Sequence, residues 1–225
     1  MGTLREGSGR EIVAADEALV AAAQPAGQVV AFSRPCLSLG VRQSPEAALA
    51  ARARGERIDV VRRSTGGTGV LTGPGDLAWS LVLPVEHPLV GRDFVRAYDR
   101  LGRAVVHALR SQGVPAAWSS PPALSEELCV LGSRGRVLTS GGKILGGAAQ
   151  RRTGRALLHH GYLARRIDLD RVARIFELPA SLLREHLAGW EDVGPTLTPA
   201  ELAGLVTSEL EREIGAPPAA GGPPP

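Results

Sequence analysis

A chain of 225 residues, 44% of them hydrophobic, can bury a full core as one domain, and no apolar run approaches the roughly 18 residues that a membrane span needs. The net charge of +3 and the pI near 9.4 come from arginines scattered among acids. With only 4% aromatic residues, that balance argues against a specific nucleic-acid surface. Two cysteines, Cys36 and Cys129, are too few for a disulfide framework and lack the paired spacing of a zinc site, so both are expected to be reduced thiols. Glu11, Asp16 and Glu17 interrupt the place where a signal peptide carries its apolar segment, which makes the cytoplasm the expected location.

Ile12, Val13, Ala15, Ala18, Leu19 and Ala22 recur at helical spacing and predict a first helix over 10–23, with Asp16 and Glu17 facing away from the core. Two short apolar runs within 27–43, broken at Ser33-Arg34-Pro35, predict strands. Ser44-Pro45-Glu46 reads as a helix start, opening an alanine-rich helix to about Arg54. Strands follow at 58–63 and 77–83, around a loop over 64–75 that carries Gly66, Gly67, Gly69, Gly73 and Gly75.

A long helix from about Arg92 to Gln112 places Phe94, Tyr98, Leu101, Val105 and Leu109 on one stripe, with Gly113 at its C-terminal cap. Residues 114–120 predict another strand, and 129–163 a run of short strands separated by glycine turns. From Asp168 the pattern is helical, in three segments ending near 176, 188 and 214. The fold class expected is α+β, with mixed or mainly antiparallel sheets and flanking helices. It forms a single domain over 1–215, and the tail 216–225, APPAAGGPPP, cannot form a core.

One stretch concentrates the chemistry. Ser140–Leu163 holds Lys143, the only lysine among 26 Lys and Arg residues. A compact ammonium does what a wide guanidinium fork cannot, and Gly141, Gly142, Gly146 and Gly147 around it let a ligand or another backbone come close. Arg62 and Arg63, followed by the glycine loop, offer guanidinium forks beside flexible amides, a place suited to a phosphate, a carboxylate or a pantetheine arm; an exposed glycine-rich hairpin would read the same way. Cys129 lies 14 residues before Lys143. A cation nearby would raise its thiolate fraction, as a nucleophile requires, whereas within ELCVL it also reads as a small buried hydrophobe. Cys36, inside an apolar strand, reads as core. His159 and His160 fall on opposite faces of one strand, so at most one of them serves a site. Metal and serine-hydrolase motifs are absent from the sequence.

Three blocks, RRSTGGTGVLTGPGDLAWSLVLP over 62–84, SGGKILGGAAQRR over 140–152 and LLHHGYL over 157–163, resemble the signature blocks of the biotin/lipoate protein ligase superfamily, in its lipoate-protein ligase A branch. PCLSLGVRQS resembles the strand before them. The resemblance implies a biotin/lipoate ligase-like catalytic domain in which Arg62, Arg63, Gly66, Gly67, Gly142, Gly146 and His160 bind an acyl substrate and Lys143 meets its reacting carbon. It implies further that Cys129 is the nucleophile of a cysteine-dependent octanoyltransferase. The donor would then be acyl carrier protein, and the acceptor a lipoyl domain of a 2-oxoacid dehydrogenase or the glycine cleavage H protein. That reaction needs no cofactor, whereas an ATP-dependent lipoate-protein ligase would need ATP and Mg. Thr72 stands where the family often has histidine, so a non-catalytic acyl- or partner-binding module is a third reading.

Overall fold

The computed structural model describes residues 4–44, 46–91, 94–120, 128 and 135–215. Cys129 and the Pro/Gly tail lie outside the described residues, as do the expected helix start at Arg92 and the expected strands over 129–134.

Among the described residues ten strands form two sheets. The larger has seven strands: β1 (Arg5–Gly7), β2 (Ala26–Phe32), β6 (Leu77–Pro84), β10 (Ala156–Leu163), β9 (Lys143–Arg152), β8 (Val137–Ser140) and β7 (Ala116–Ser119), neighbours in that order. Among the described residues only β1 with β2 is a parallel pair of strands in it. The smaller sheet sets β3 (Cys36–Leu39) between β4 (Asp59–Arg62), parallel to it, and β5 (Val70–Thr72), antiparallel. The α+β class with a mixed sheet is thus as the sequence predicts.

β6 is apolar at every position but Ser80 because it is covered on both faces. Leu77, Trp79, Leu81 and Leu83 enter the main core with Leu101, Val105 and Leu109 of α3 (Phe94–Arg110) and Leu202, Val206 and Leu210 of α6 (Pro199–Gly215). Ala78 and Val82 face the other way, toward α1 (Gly9–Ala22). A second core closes the small sheet under α2 (Ala48–Gly55), α4 (Leu169–Phe176) and α5 (Ala180–His186), through Leu37, Leu39, Leu49, Ile175 and Leu183. At its start α1 is fixed by a capping box: Glu11 N donates to Ser8 Oγ, and Ser8 N donates to a Glu11 carboxylate oxygen at 2.7 Å. Among the described residues no helix is long and apolar enough to cross a membrane.

Four expectations change. β5 lies inside the stretch expected to be a loop, since three residues are too few to show a period; pairing with β3 makes it a strand. α2 begins at Ala48 rather than Ser44, whose hydroxyl instead closes a local turn by accepting from Glu46 N at 3.2 Å. Of the short strands expected over 129–163, the described residues hold one, β8, followed by two longer ones, β9 and β10. Asp16 does not face away: it is buried at 3% exposure. It stands four residues after buried Ile12, on the same stripe of α1.

Candidate active site

Between α1, the inner face of the large sheet and the small sheet lies a cavity of about 90 Å3. Ile12 and Val13 of α1, Phe32, Val70 and Tyr162 make it mostly apolar, and Gly147, Ala148 and Ala149 on β9 leave the space open by being small. Such a slot accepts a short alkyl chain by burying its surface, worth about 0.8 kcal/mol for each CH2 removed from water.

Its polar corner is assembled from three distant segments. His160 on β10 faces the cavity, and Nδ1 lies 2.8 Å from Oδ2 of Asp16 on α1. The other ring nitrogen, Nε2, lies 2.7 Å from Oγ1 of Thr65, which is fully buried. Asp16 also accepts at Oδ1 from Gln28 Nε2 at 3.1 Å. A carboxylate only accepts, so the bond to Asp16 places a proton on Nδ1, while Nε2 and the Thr65 hydroxyl share the second bond. Neither Asp16 nor Thr65 was singled out from sequence. The available signal was a carboxylate on the apolar stripe of α1, where burial demands a partner.

His159 points to the opposite face of β10, against Tyr98 of α3, with ring centroids 5.8 Å apart. Burial, helped by neighbouring His160, pushes its pKa down to about 3, so it stays neutral. The two histidines thus lie on opposite faces of β10, His160 toward the cavity and His159 toward α3.

Arg62 and Arg63 part company. Arg62 is exposed at the end of β4. Arg63 is buried and lines the cavity, donating from Nη1 to Ser38 O at 2.7 Å and from Nη2 to Gly66 O and Thr68 O, both at 2.8 Å. This fork fixes the glycine loop to β3. Gly67 has a positive φ of 86°, and its carbonyl presses so close to Gly40 that a Cβ there would sit 1.8 Å away. Thr72 donates to the carbonyl of Cys36 at 3.2 Å, tying β5 to β3. Cys36 is wholly buried in the cavity wall. Burial, with Asp59 adding to it, pushes the thiol up to about 12, so it is inert.

Lys143 opens β9 but is not among the residues lining the cavity. Gly141 and Gly142 form the two-residue turn between β8 and β9 with φ of 55° and 81°, a conformation that glycine tolerates best. Gly146 is held against β10, where a Cβ would lie 2.0 Å from the carbonyl oxygen of Tyr162. Both glycines therefore have a backbone reason to be there. Below the glycine loop, Asp76 is buried and accepts from Gly73 N at 2.8 Å and Arg165 N at 2.7 Å. Burial outweighs those bonds and lifts its carboxyl to about 7. Among the described residues no cluster of His, Cys, Asp and Glu could hold a metal.

The family model described as "Lipoyl protein ligase A/B catalytic domain" matches residues 8–211. Octanoyltransferase LipM of Moorella thermoacetica is 31% identical over 169 residues, covering 72% of this chain and 62% of that protein. Its counterpart in Bacillus subtilis is 27% identical over 139 residues, 58% of this chain and 50% of that protein. The chain thus spans less than two thirds of the length of these relatives. In fold it matches a lipoate-protein ligase A bound with ATP, with a TM-score of 0.76 at 24% identity, covering 95% of this chain and 85% of that one. A lipoate protein ligase from T. acidophilum with bound lipoic acid gives 0.75 at 22% identity, covering 95% and 86%.

Proposed function

Because the chain belongs to the family of lipoyl protein ligase A/B catalytic domains, we propose that it transfers an octanoyl or lipoyl group to the lysine of a lipoyl domain through a thioester on Cys129. The observation that carries this reading is the narrow, mostly apolar cavity with Asp16, Arg63 and His160 in its wall, in a chain whose relatives include octanoyltransferases. An alkyl chain fills the apolar part, and its reacting end stays near the polar groups.

In this reading acyl carrier protein supplies the acyl group as a thioester. The Cys129 thiolate attacks the carbonyl carbon, the C–S bond to the carrier breaks, and the carrier's sulfur leaves as a thiolate that takes a proton from solvent. Lys143, the chain's one ammonium, neutralises the thiolate and the oxyanion that forms. The acceptor lysine amine then forms the amide as the bond to Cys129 breaks. A thioester intermediate keeps the acyl group activated, so ATP is not needed. Arg63 lines the cavity and holds the loop with Gly66 and Gly67, which in this reading meets the acyl substrate, and the acceptors are lipoyl domains of 2-oxoacid dehydrogenases or the glycine cleavage H protein. The domain works in the cytoplasm.

The test is intact mass spectrometry after incubation with octanoyl-acyl carrier protein. One octanoyl adduct is expected, mapping to Cys129 and absent from Cys129→Ser, with Cys36 unmodified. Lipoyl-domain modification that requires ATP and proceeds without an adduct would assign the chain to the ligase reaction instead.

A further inference from the structure

The cavity has two unlike ends. At one, Asp16 of α1 meets His160 of β10, and Arg63 donates to the carbonyl of Ser38, which also lines the wall. Val13, Ala148, Ala149 and His160 on that side are half-buried. At the other, the wall is made by Gly9, Phe32, Cys36, Thr72 and Ala78, and the last four are between 0% and 7% exposed. The Thr72 hydroxyl there is taken up by the carbonyl of Cys36. This end is therefore closed and apolar. Strand register gives the direction between them: Ser38 pairs with Val61 and Val70, and two residues earlier Cys36 pairs with Asp59 and Thr72. On α1 the same path runs from Asp16 back to Gly9, seven residues or about 10 Å along the helix axis, close to the span of an extended octanoyl chain.

The closed end has no slack behind its sulfur. A Cβ at Gly9 would lie 2.1 Å from Cys36 Sγ and 3.0 Å from Cys36 Cβ. Gly9 has no positive φ, so its backbone does not call for glycine; the space a side chain would take is filled by the sulfur. Cys36 is also packed among Ile12, Phe32 and Ala78. We propose that Cys36, braced by Gly9, is the stop at the closed end of the acyl slot and sets the longest chain that the protein accepts. The proposal rests on the reading of this cavity as the acyl site. Each carbon added to the chain buries one more CH2 and tightens binding about fourfold until the terminal methyl meets the sulfur. The next carbon must push Cys36 into α1, and a packed interior resists that. Cys36 is thus a specificity-determining residue and takes no part in bond making.

Calorimetric titration with saturated fatty acids, from hexanoate to dodecanoate in steps of one carbon, reads the stop directly. For the parent, affinity is expected to rise about fourfold per carbon and then to break, with no gain from further carbons. Cys36→Ala, which removes the sulfur, is expected to move the break to a longer acid. Cys36→Val, which adds a methyl group, is expected to move it to a shorter one while acids below the break bind as in the parent. Urea midpoints confirm that the variants fold, and Cys36→Val fills the core if the alanine variant does not. A break at the same length in the parent and the folded variants overturns the stop, and so does a parallel loss of affinity at every length, which is what a merely structural core residue gives. A parent whose affinity does not rise with chain length overturns it as well. Incubation of the parent with octanoyl-acyl carrier protein separates this from the transferase reading. No adduct with a break that moves removes the transferase and keeps the stop; an adduct with an unmoved break does the reverse.

Discussion

Lys143 donates from Nζ to the backbone carbonyl of Arg184 at 2.8 Å, so the only lysine of the chain is tied to the last turn of α5, 41 residues away. Carbonyls at a helix C-terminus lack partners within the helix and attract cations. The contact accounts for a cation at the mouth of the β8–β9 hairpin, but not for a lysine in a chain that otherwise uses arginine. Lys143→Arg is therefore expected to keep the fold, with a stability change within about 0.5 kcal/mol. Acyl transfer should fall about a hundredfold, the loss typical of one oxyanion donor. Denaturant titration and a transfer assay on the same preparation check both halves. A transfer rate within about threefold of the parent would leave Lys143 as a helix clamp only.

Arg63 and its neighbour separate loop architecture from surface charge. Three carbonyls, of Ser38, Gly66 and Thr68, depend on one buried guanidinium, and an ammonium cannot span both sides of that fork. Arg63→Lys is expected to cost about 2 kcal/mol, the usual penalty when a buried acceptor loses its charged partner, and to weaken binding of octanoate to the cavity. Arg62→Lys, at an exposed position, should stay within about 0.5 kcal/mol. Denaturation midpoints and calorimetric titration with octanoate distinguish the two. Equal effects would mean that the fork does not organise the loop.

Much of this architecture is legible in the sequence because its elements carry strong local patterns. α3 repeats its apolar positions over 17 residues, and β6 is apolar at all but Ser80, so both emerge from periodicity and run length alone. β1 and β5 have three residues each and exist only through their partners β2 and β3, which no local pattern encodes. The site divides along the same line. His160 was expected because it sits in a distinctive block. Its partners Asp16 and Thr65 are 144 and 95 residues away, and their pairing is a product of the fold. Arg62 and Arg63 look alike in sequence, but Arg62 ends β4 exposed, whereas Arg63, one residue past the strand, is buried among the carbonyls of Ser38, Gly66 and Thr68.

Glycines at 142 and 146 look equivalent in sequence and differ in physical cause. At Gly146 a methyl group would meet the Tyr162 carbonyl oxygen at 2.0 Å, so β9 and β10 must part to admit it. Gly146→Ala is expected to destabilise by about 2–3 kcal/mol, as overpacking does. A Cβ at Gly142 meets nothing within 4 Å, and only its φ of +81° resists substitution. Gly142→Ala should therefore cost about 1 kcal/mol, the penalty for a left-handed residue. Thermal melts decide the order; a larger loss at Gly142 would contradict the packing argument.

Asp76 and His159 make opposite demands on pH. The carboxyl of Asp76 titrates near 7 in the fold against 3.8 when free, so the native state holds a proton that the unfolded chain has already released. Its contribution to stability is complete below about 4 and is lost as pH rises through about 7, at up to about 1.4 kcal/mol per pH unit between. His159 runs the other way: buried neutral, with a pKa near 3 against 6.5 when free, it stabilises above 6.5 and loses that as pH falls toward 3. Between about pH 4 and 6.5 the two slopes oppose each other and largely cancel. Asp76→Asn removes the falling limb, so the variant's stability should rise with pH across that window while the parent's stays nearly flat. Between pH 6.5 and 7 the parent should lose stability that the variant does not. Urea unfolding at half-unit steps from pH 4 to 8 measures both curves. Parallel curves would show that Asp76 is ionised throughout and that its bonds to Gly73 N and Arg165 N outweigh its burial.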